Sequence, residues 1–214
     1  MSNVTYEFTE DYIRSLIKEK DELLIAMRVY AEKNHVPIIE KECEDFYKFL
    51  LNILKPEKIL ELGTAIGYSA IVFAKTSGAF IKSVEISEDM IKLAEENIKN
   101  ANLENNIKVI NKDALEFLLE TKDSYDLIFI DAAKGQYEKY FDEAVKHLNR
   151  GGTIICDNVL FRGMIANQNL VKRRKITIVK RLRKFLNRIK DDGSYSSTIV
   201  PIGDGVLLVR RISE

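Results

Sequence analysis

Asp131 and Lys134 stand three residues apart where an apolar run ends, in the stretch LIFIDAAKGQY (127–137). An acid and an amine at the exit of a buried segment can be a surface ion pair, which contributes little. They can also be two groups acting on one substrate atom. A second apolar run, GTIICD (152–157), leads into Asp157-Asn158. Two carboxylates and an amide oxygen are hard ligands, with no histidine or thiolate among them. Such a set favours Mg2+ or a similar divalent cation with positions open for substrate and water. Beside that cation the ammonium form of Lys134 is disfavoured by like charge and partial burial, which brings its pKa toward the range of a general base. It could then take a proton from a hydroxyl and leave an oxygen nucleophile. Helix capping accounts for Asp157 alone, but not for an Asp-Asn pair facing Asp131.

Other apolar runs also end in acids and glycines. KILEL (58–62) continues into ELGTAIGYS, where Gly63 and Gly67 permit a tight turn and close approach of backbone to ligand. The pattern is not GxGxxG, and Glu61 would repel a pyrophosphate while suiting the amino group of an amino-acid-like cofactor. Glu85, 22 residues after Gly63 and near the end of FIKSVEI (80–86), can accept both hydroxyls of a ribose. Asp113-Ala114 follows IKVIN (107–111), where a carboxylate could reach an adenine amine. Together these acceptors suit S-adenosylmethionine, a cation with amine, ribose and adenine donors. The plain structural alternatives are a tight strand–helix turn at the glycines and helix caps at the acids.

Residues so far apart in the chain need a sheet to assemble them. YDLIFID (125–131) and the other short apolar runs alternate with helical stretches, of which SEDMIKLAEENIKNANL is the clearest, with Ser87 as N-cap. That alternation predicts a parallel sheet covered by helices on both faces, with ligands beyond the carboxyl ends of the strands. Before it, Tyr12, Leu16, Leu23, Leu24, Met27 and Tyr30, then Phe46, Leu50, Ile53 and Leu54, recur at helical spacing until Lys55-Pro56. At the other end TIVPIG (198–203) and VLLVRR (206–211) flank Asp204-Gly205, a hairpin signal. The expected fold is α/β: a Rossmann-like, doubly wound, mostly parallel seven-stranded sheet with a C-terminal antiparallel hairpin. Residues 1–55 form a helical N-terminal cap, and 1–214 form one domain.

The 214 residues are 46% hydrophobic and 31% charged, the balance of a helix-rich globular chain. Cys43 and Cys156 have no CxxC spacing or secreted framework, which points to the cytoplasm, and no segment reads as a signal peptide or a membrane span. Having only His35 and His147 argues against a histidine-built zinc site. His35, just before Val36-Pro37, could line a pocket, stack on a base or cap a helix. Net charge is zero, yet residues 172–190 hold ten Lys or Arg and no acid, leaving 23 bases against 33 acids elsewhere. Val179, Leu182, Phe185, Leu186 and Ile189 give this segment one packing face. Its charges could be a solvated face, or meet a membrane surface, coenzyme A phosphates or RNA. Their density favours RNA.

ELGTAIGYSA, IDAAKGQY and Asp157-Asn158 resemble the metal-dependent O-methyltransferase family that includes catechol and caffeoyl-CoA O-methyltransferases, over the chain from about Leu50 onward. The resemblance implies that Asp131, Asp157 and Asn158 bind Mg2+ and that Lys134 is the base. It implies cofactor contacts at Glu61, Gly63, Tyr68, Ser69, Glu85, Asp113, Ala114 and Asp131, and a homodimer. HVPIIEK (35–41), DNVLFRG (157–163), KRRK (172–175) and PIGDG (201–205) are similar to a bacterial subgroup that methylates 5-hydroxyuridine of tRNA, at wobble position 34, to 5-methoxyuridine. Two physical points agree with that. 5-Hydroxyuracil can chelate one cation through O5 and O4 as a catechol does, and Lys172, Arg173, Arg174, Lys175 and Arg181 could neutralise tRNA phosphates. The alternative is methylation of a small catechol or a CoA ester.

Overall fold

A computed structural model describes residues 4–132 and 134–212, with the Lys134 side chain outside that description. Three helices come first: α1 (Glu7–Leu16), α2 (Glu22–Asn34) and α3 (Lys41–Leu54). Asp21 caps α2 by accepting from the Leu23 and Leu24 N–H groups. His35 ends that helix at φ 55, a capping position in the left-handed region. Lys55 closes α3 in the same way, just before Pro56.

Strands and helices then alternate: β1 (Lys58–Leu62), α4 (Tyr68–Ser77), β2 (Phe80–Glu85), α5 (Glu88–Asn100), β3 (Ile107–Asn111), α6 (Ala114–Glu120) and β4 (Tyr125–Ile130). A short 3-10 turn at Lys134–Gln136 leads to α7 (Tyr137–Ala144), then β5 (Leu148–Cys156), α8 (Ile176–Asp191), β6 (Tyr195–Val200) and β7 (Val206–Arg211). The sheet order is β3-β2-β1-β4-β5-β7-β6, parallel except for the two pairings that β7 makes. Residue alternation explains the two apolar layers. Leu60, Leu62, Ile128 and Ile130 face the layer under α6, α7 and α8, while Ile59, Leu127 and Phe129 face the one under α2, α3 and α4.

The expected parallel strands end within one residue of the expected carboxyl ends, with Glu85, Ile130 and Cys156 closing β2, β4 and β5, and larger differences lie elsewhere. The strand expected over 152–157 begins at Leu148, because Gly151 takes φ 75 and Gly152 packs against the Asp126 and Asn149 carbonyls. The hairpin is wider than Asp204-Gly205: β6 ends at Val200, and 201–205 make the connection. Leu24 and Met27 are buried, whereas Tyr12 and Leu16 of α1 are exposed. An ion pair ties α1 to α3: Arg14 Nε and Nη2 each donate at 2.7 Å to the carboxylate of the buried Glu42. Burial acts to raise the Glu42 pKa, but the Arg14 bonds outweigh it and hold the carboxyl below its ordinary value. No helix among the described residues is long and apolar enough to cross a membrane.

Candidate active site

The carboxyl ends of β1, β2, β4 and β5 open into a cavity of about 700 Å³. Gly63, Glu85, Asp131, Asp157 and Asn158, all candidate residues from the sequence, line it. Part of the remaining wall comes from the stretches HVPIIEK, DNVLFRG and PIGDG, through Glu40, Arg162 and Asp204 among others, but Glu7, Glu10, Asp11 and Arg14 of α1 and Cys43 were not legible in the sequence.

Ile130 and Cys156 are paired across β4 and β5, so the next residues, Asp131 and Asp157, leave the sheet side by side. Their backbones are pinned: Asp131 N–H donates to the Leu62 carbonyl at 3.0 Å, and Asp157 N–H to that of Ile130 at 3.1 Å. Asn158 Nδ2 donates to Asp131 Oδ1 at 3.0 Å, and Asp157 Oδ1 accepts from the Asn158 main-chain N–H at 2.7 Å. Asn158, Phe161 and Arg162 all have positive φ (59, 48 and 54). Three non-glycine residues in that region within one loop store strain, a feature that concentrates at functional sites. From below, the buried Tyr137 hydroxyl donates to the Asp157 carbonyl at 2.6 Å. Sequence reading missed this tyrosine, and its place in IDAAKGQY was the available signal. Among the described residues no group of three His, Cys, Asp or Glu side chains is arranged for a metal. The set here is two carboxylates and an amide, hard donors of the kind a divalent cation takes, with the Asn158 amide now turning its Nδ2 and not its oxygen toward Asp131.

Glu85 accepts from Ala65 N–H at 3.0 Å through one oxygen and from Ile86 and Ser87 N–H, each at 2.9 Å, through the other. Its carboxylate is thereby fixed at the cavity wall. Asp113 caps α6, its Oδ1 accepting from Leu115 at 2.9 Å and Glu116 at 3.1 Å, with Ala114 opening the helix. Tyr68 is placed differently from expectation. Its ring is 1% exposed and its hydroxyl lies between Glu44 and Arg28, at 2.7 and 3.0 Å, so the side chain packs beneath α2 and α3 and does not line the cavity. Ser69 and Glu61 lie together under the cavity floor. Glu61 is fully buried and accepts from the Ser69 and Ser83 hydroxyls.

Burial, aided by the negative charges of Asp131 and Glu85, pushes the Glu61 carboxyl up to about 7 against the serine bonds that lower it. The unfolded chain would titrate near 4.5, so between these values the folded protein holds a proton that the unfolded one lacks. Stability of the ligand-free protein therefore falls as pH rises through that window. Glu61→Gln should abolish the slope and stabilise the protein by roughly 2–3 kcal/mol at about pH 8, with little change at about pH 5, by chemical denaturation. Parallel pH profiles for the two proteins would rule this out.

A seven-stranded, mostly parallel sheet with a reversed last strand, and acceptors at the ends of its first strands, defines the Rossmann-like methyltransferase class. More particularly, the chain belongs to the O-methyltransferase family, whose model matches residues 15–212. It is 26% identical over 219 residues to the probable caffeoyl-CoA O-methyltransferase 1 of Dictyostelium discoideum, covering 99% of this chain and 94% of that protein. A candidate caffeoyl-CoA O-methyltransferase from Staphylococcus aureus superimposes with a TM-score of 0.88 at 31% identity, covering 96% of this chain and all of that one. An O-methyltransferase from Bacillus cereus, solved with S-adenosylhomocysteine, gives 0.83 at 28% identity, covering 98% and 100%. The protein is an S-adenosylmethionine-dependent O-methyltransferase.

Proposed function

We propose that the protein methylates O5 of a 5-hydroxyuridine in tRNA, at the wobble position, giving 5-methoxyuridine. One observation carries the choice of RNA. Arg181 of the basic helix α8 donates to the Gly135 carbonyl, at 3.4 Å, in the turn that begins with Lys134. The densest positive charge in the chain thus borders the candidate site, and Lys172, Arg173 and Arg174 leading into α8 are exposed. A polyanion on that face would have its phosphates neutralised while one base enters the cavity.

S-adenosylmethionine supplies the methyl group, and a divalent cation such as Mg2+ would acidify the accepting hydroxyl. Asp131, Asp157 and Asn158 supply the oxygens that would hold the cation. Glu85 presents its carboxylate to the ribose hydroxyls, Gly63 lets the backbone approach, and the Asp113–Ala114 corner borders the adenine side. Lys134 Nζ, as the neutral amine, takes the O5 proton; O5 gains the methyl group as the S–CH3 bond breaks, and neutral S-adenosylhomocysteine leaves. A homodimer, the other partner expectation, would bury the exposed Tyr6 and, on α1, Phe8, Tyr12 and Leu16. Sedimentation velocity reads it.

The names of the relatives support a second reading, a caffeoyl-CoA or other small catechol substrate. The two readings separate when the protein is incubated with labelled S-adenosylmethionine, Mg2+ and tRNA from cells lacking it, beside caffeoyl-CoA and free catechol. We expect 5-methoxyuridine among the digested nucleosides. Its absence, with label in caffeoyl-CoA or catechol, overturns the RNA assignment.

A further inference from the structure

A second cavity, about 580 Å³ in volume, lies between the segment 135–139 and α8. Its floor is apolar, made of the buried Tyr137, Leu182 and Phe185, with the Tyr137 and Phe185 rings stacked at 6.4 Å and 16°. Its walls are cationic: Lys139, Arg181 and Lys184 are all exposed. Glu138 is the acid among the lining residues. It is 3.6 Å from Lys184 and also lies 3.9 Å from Arg188, so it offsets the cluster only in part.

The basic helix sorts its charges into two sets. Arg183 donates to the Ile165 and Met164 carbonyls at 2.9 and 3.1 Å, Arg188 pairs with Asp142 at 2.6 Å, and Lys190 reaches the Ser197 carbonyl at 2.7 Å. Those three hold α8 to its neighbours. Arg181 instead bonds a neutral carbonyl, and no carboxylate pairs with it among the described residues. Four of its five N–H donors remain for a ligand. Three cations against one acid over an apolar floor form an anion site with a surface for a sugar or base.

This cavity touches the active site through one residue. Tyr137 forms its floor, and the hydroxyl of that same ring donates to the Asp157 carbonyl. An anion seated against Lys139, Arg181 and Lys184 would thus have the Tyr137 side chain between it and the Asp157 backbone. A nucleotide's phosphate and base can bridge such a gap.

We propose that the cleft between residues 135–139 and α8 binds a backbone phosphodiester of the RNA substrate beside the nucleotide being methylated. This rests on the assignment of RNA as substrate, and it adds a phosphate subsite formed by Lys139, Arg181 and Lys184. A CoA ester could offer phosphates of the same chemistry, so the test carries both ligands. The full chain and its Arg181→Glu, Lys184→Glu and Arg181→Gln variants are titrated with a fluorescent anticodon stem-loop RNA across a salt series, and separately with coenzyme A. Lys108→Glu, an exposed site on β3 at the far edge of the sheet, carries the same charge change as a control. Each cleft reversal should weaken RNA binding about tenfold and reduce the salt slope by about one, with KM for RNA rising and kcat nearly unchanged. Lys108→Glu should bind as the wild type does. Arg181→Gln keeps a donor for Gly135 and loses only the charge, so a loss of RNA affinity with an unshifted melting temperature supports the phosphate role.

Cleft variants that bind RNA like the wild type, or a control that weakens equally, overturn the proposal. Loss of coenzyme A binding with RNA binding intact also overturns it. Failure of the substrate assignment looks different: RNA affinity that depends on the cleft, with no methyl transfer to RNA, sinks the activity and supports the subsite. A wild type with no RNA affinity sinks both.

Discussion

Asp157→Ala is expected to lower kcat by about 10³-fold or more on whichever hydroxyl substrate the wild type methylates, without lowering the melting temperature of the ligand-free protein. The two halves of this expectation have one cause. Asp157 is 3% exposed and lies beside Asp131, so in the absence of a cation two carboxylates repel across a poorly solvated gap. A structural carboxylate at such a place would be a liability, whereas a ligand for a cation belongs there. Removing it relieves the repulsion and gives up, among its interactions, the bond from the Asn158 N–H to Asp157 Oδ1. Thermal melts with and without Mg2+ complete the test. The wild type should be stabilised by the cation in a concentration-dependent manner and the variant should not. Retention of kcat within about threefold would rule out the role of the oxygen cluster.

Gly63→Ala is expected to be the most disruptive single methyl group in the site. Gly63 sits at φ 103, and a Cβ there would lie 2.6 Å from the Asp131 carbonyl oxygen. The obstacle is backbone belonging to the next strand, itself tied to Leu62, so no side chain can swing aside. Left-handed strain and overpacking together should cost about 3–5 kcal/mol. For a chain of this length that is a fall in melting temperature of roughly 6–15 °C. Because the displaced atoms are Asp131 and the cofactor turn, S-adenosylmethionine binding by calorimetry should weaken by at least about tenfold even where the variant folds. A variant with the wild-type melting temperature would show that the turn relaxes freely.

Much of the fold was legible because its determinants are local. The apolar runs beginning at Lys58, Ile107 and Val206 became strands with the expected bounds, and Ser87 and Asp113 became caps, each from side chains bonding backbone two or three residues on. The strand-end acids could be chosen because strand ends are where such sheets bind ligands. At α1 periodicity predicted the helix but not what covers it. Tyr12 and Leu16 have the spacing of a packing face, yet the helix is held through Arg14 to Glu42, and those side chains stay exposed. Spacing reports which residues share a face, and only the partner element decides whether that face is covered.

The sequence by itself determined the family-level chemistry: a sheet with Gly63, Glu85, Asp131, Asp157 and Asn158 at its strand ends, and a separate, concentrated block of positive charge. Strand ends in a parallel sheet converge by topology, so naming the strands named the site. Tertiary structure alone decided how those groups are tuned and enclosed. It buried Glu61 between Ser69 and Ser83, turned Tyr68 away from the cavity, brought α1 over the opening, and set Arg181 against the turn that starts at Lys134. Each of these is a contact between residues distant in the chain. Desolvation, charge pairing and enclosure depend on what lies across that gap, which no local pattern records.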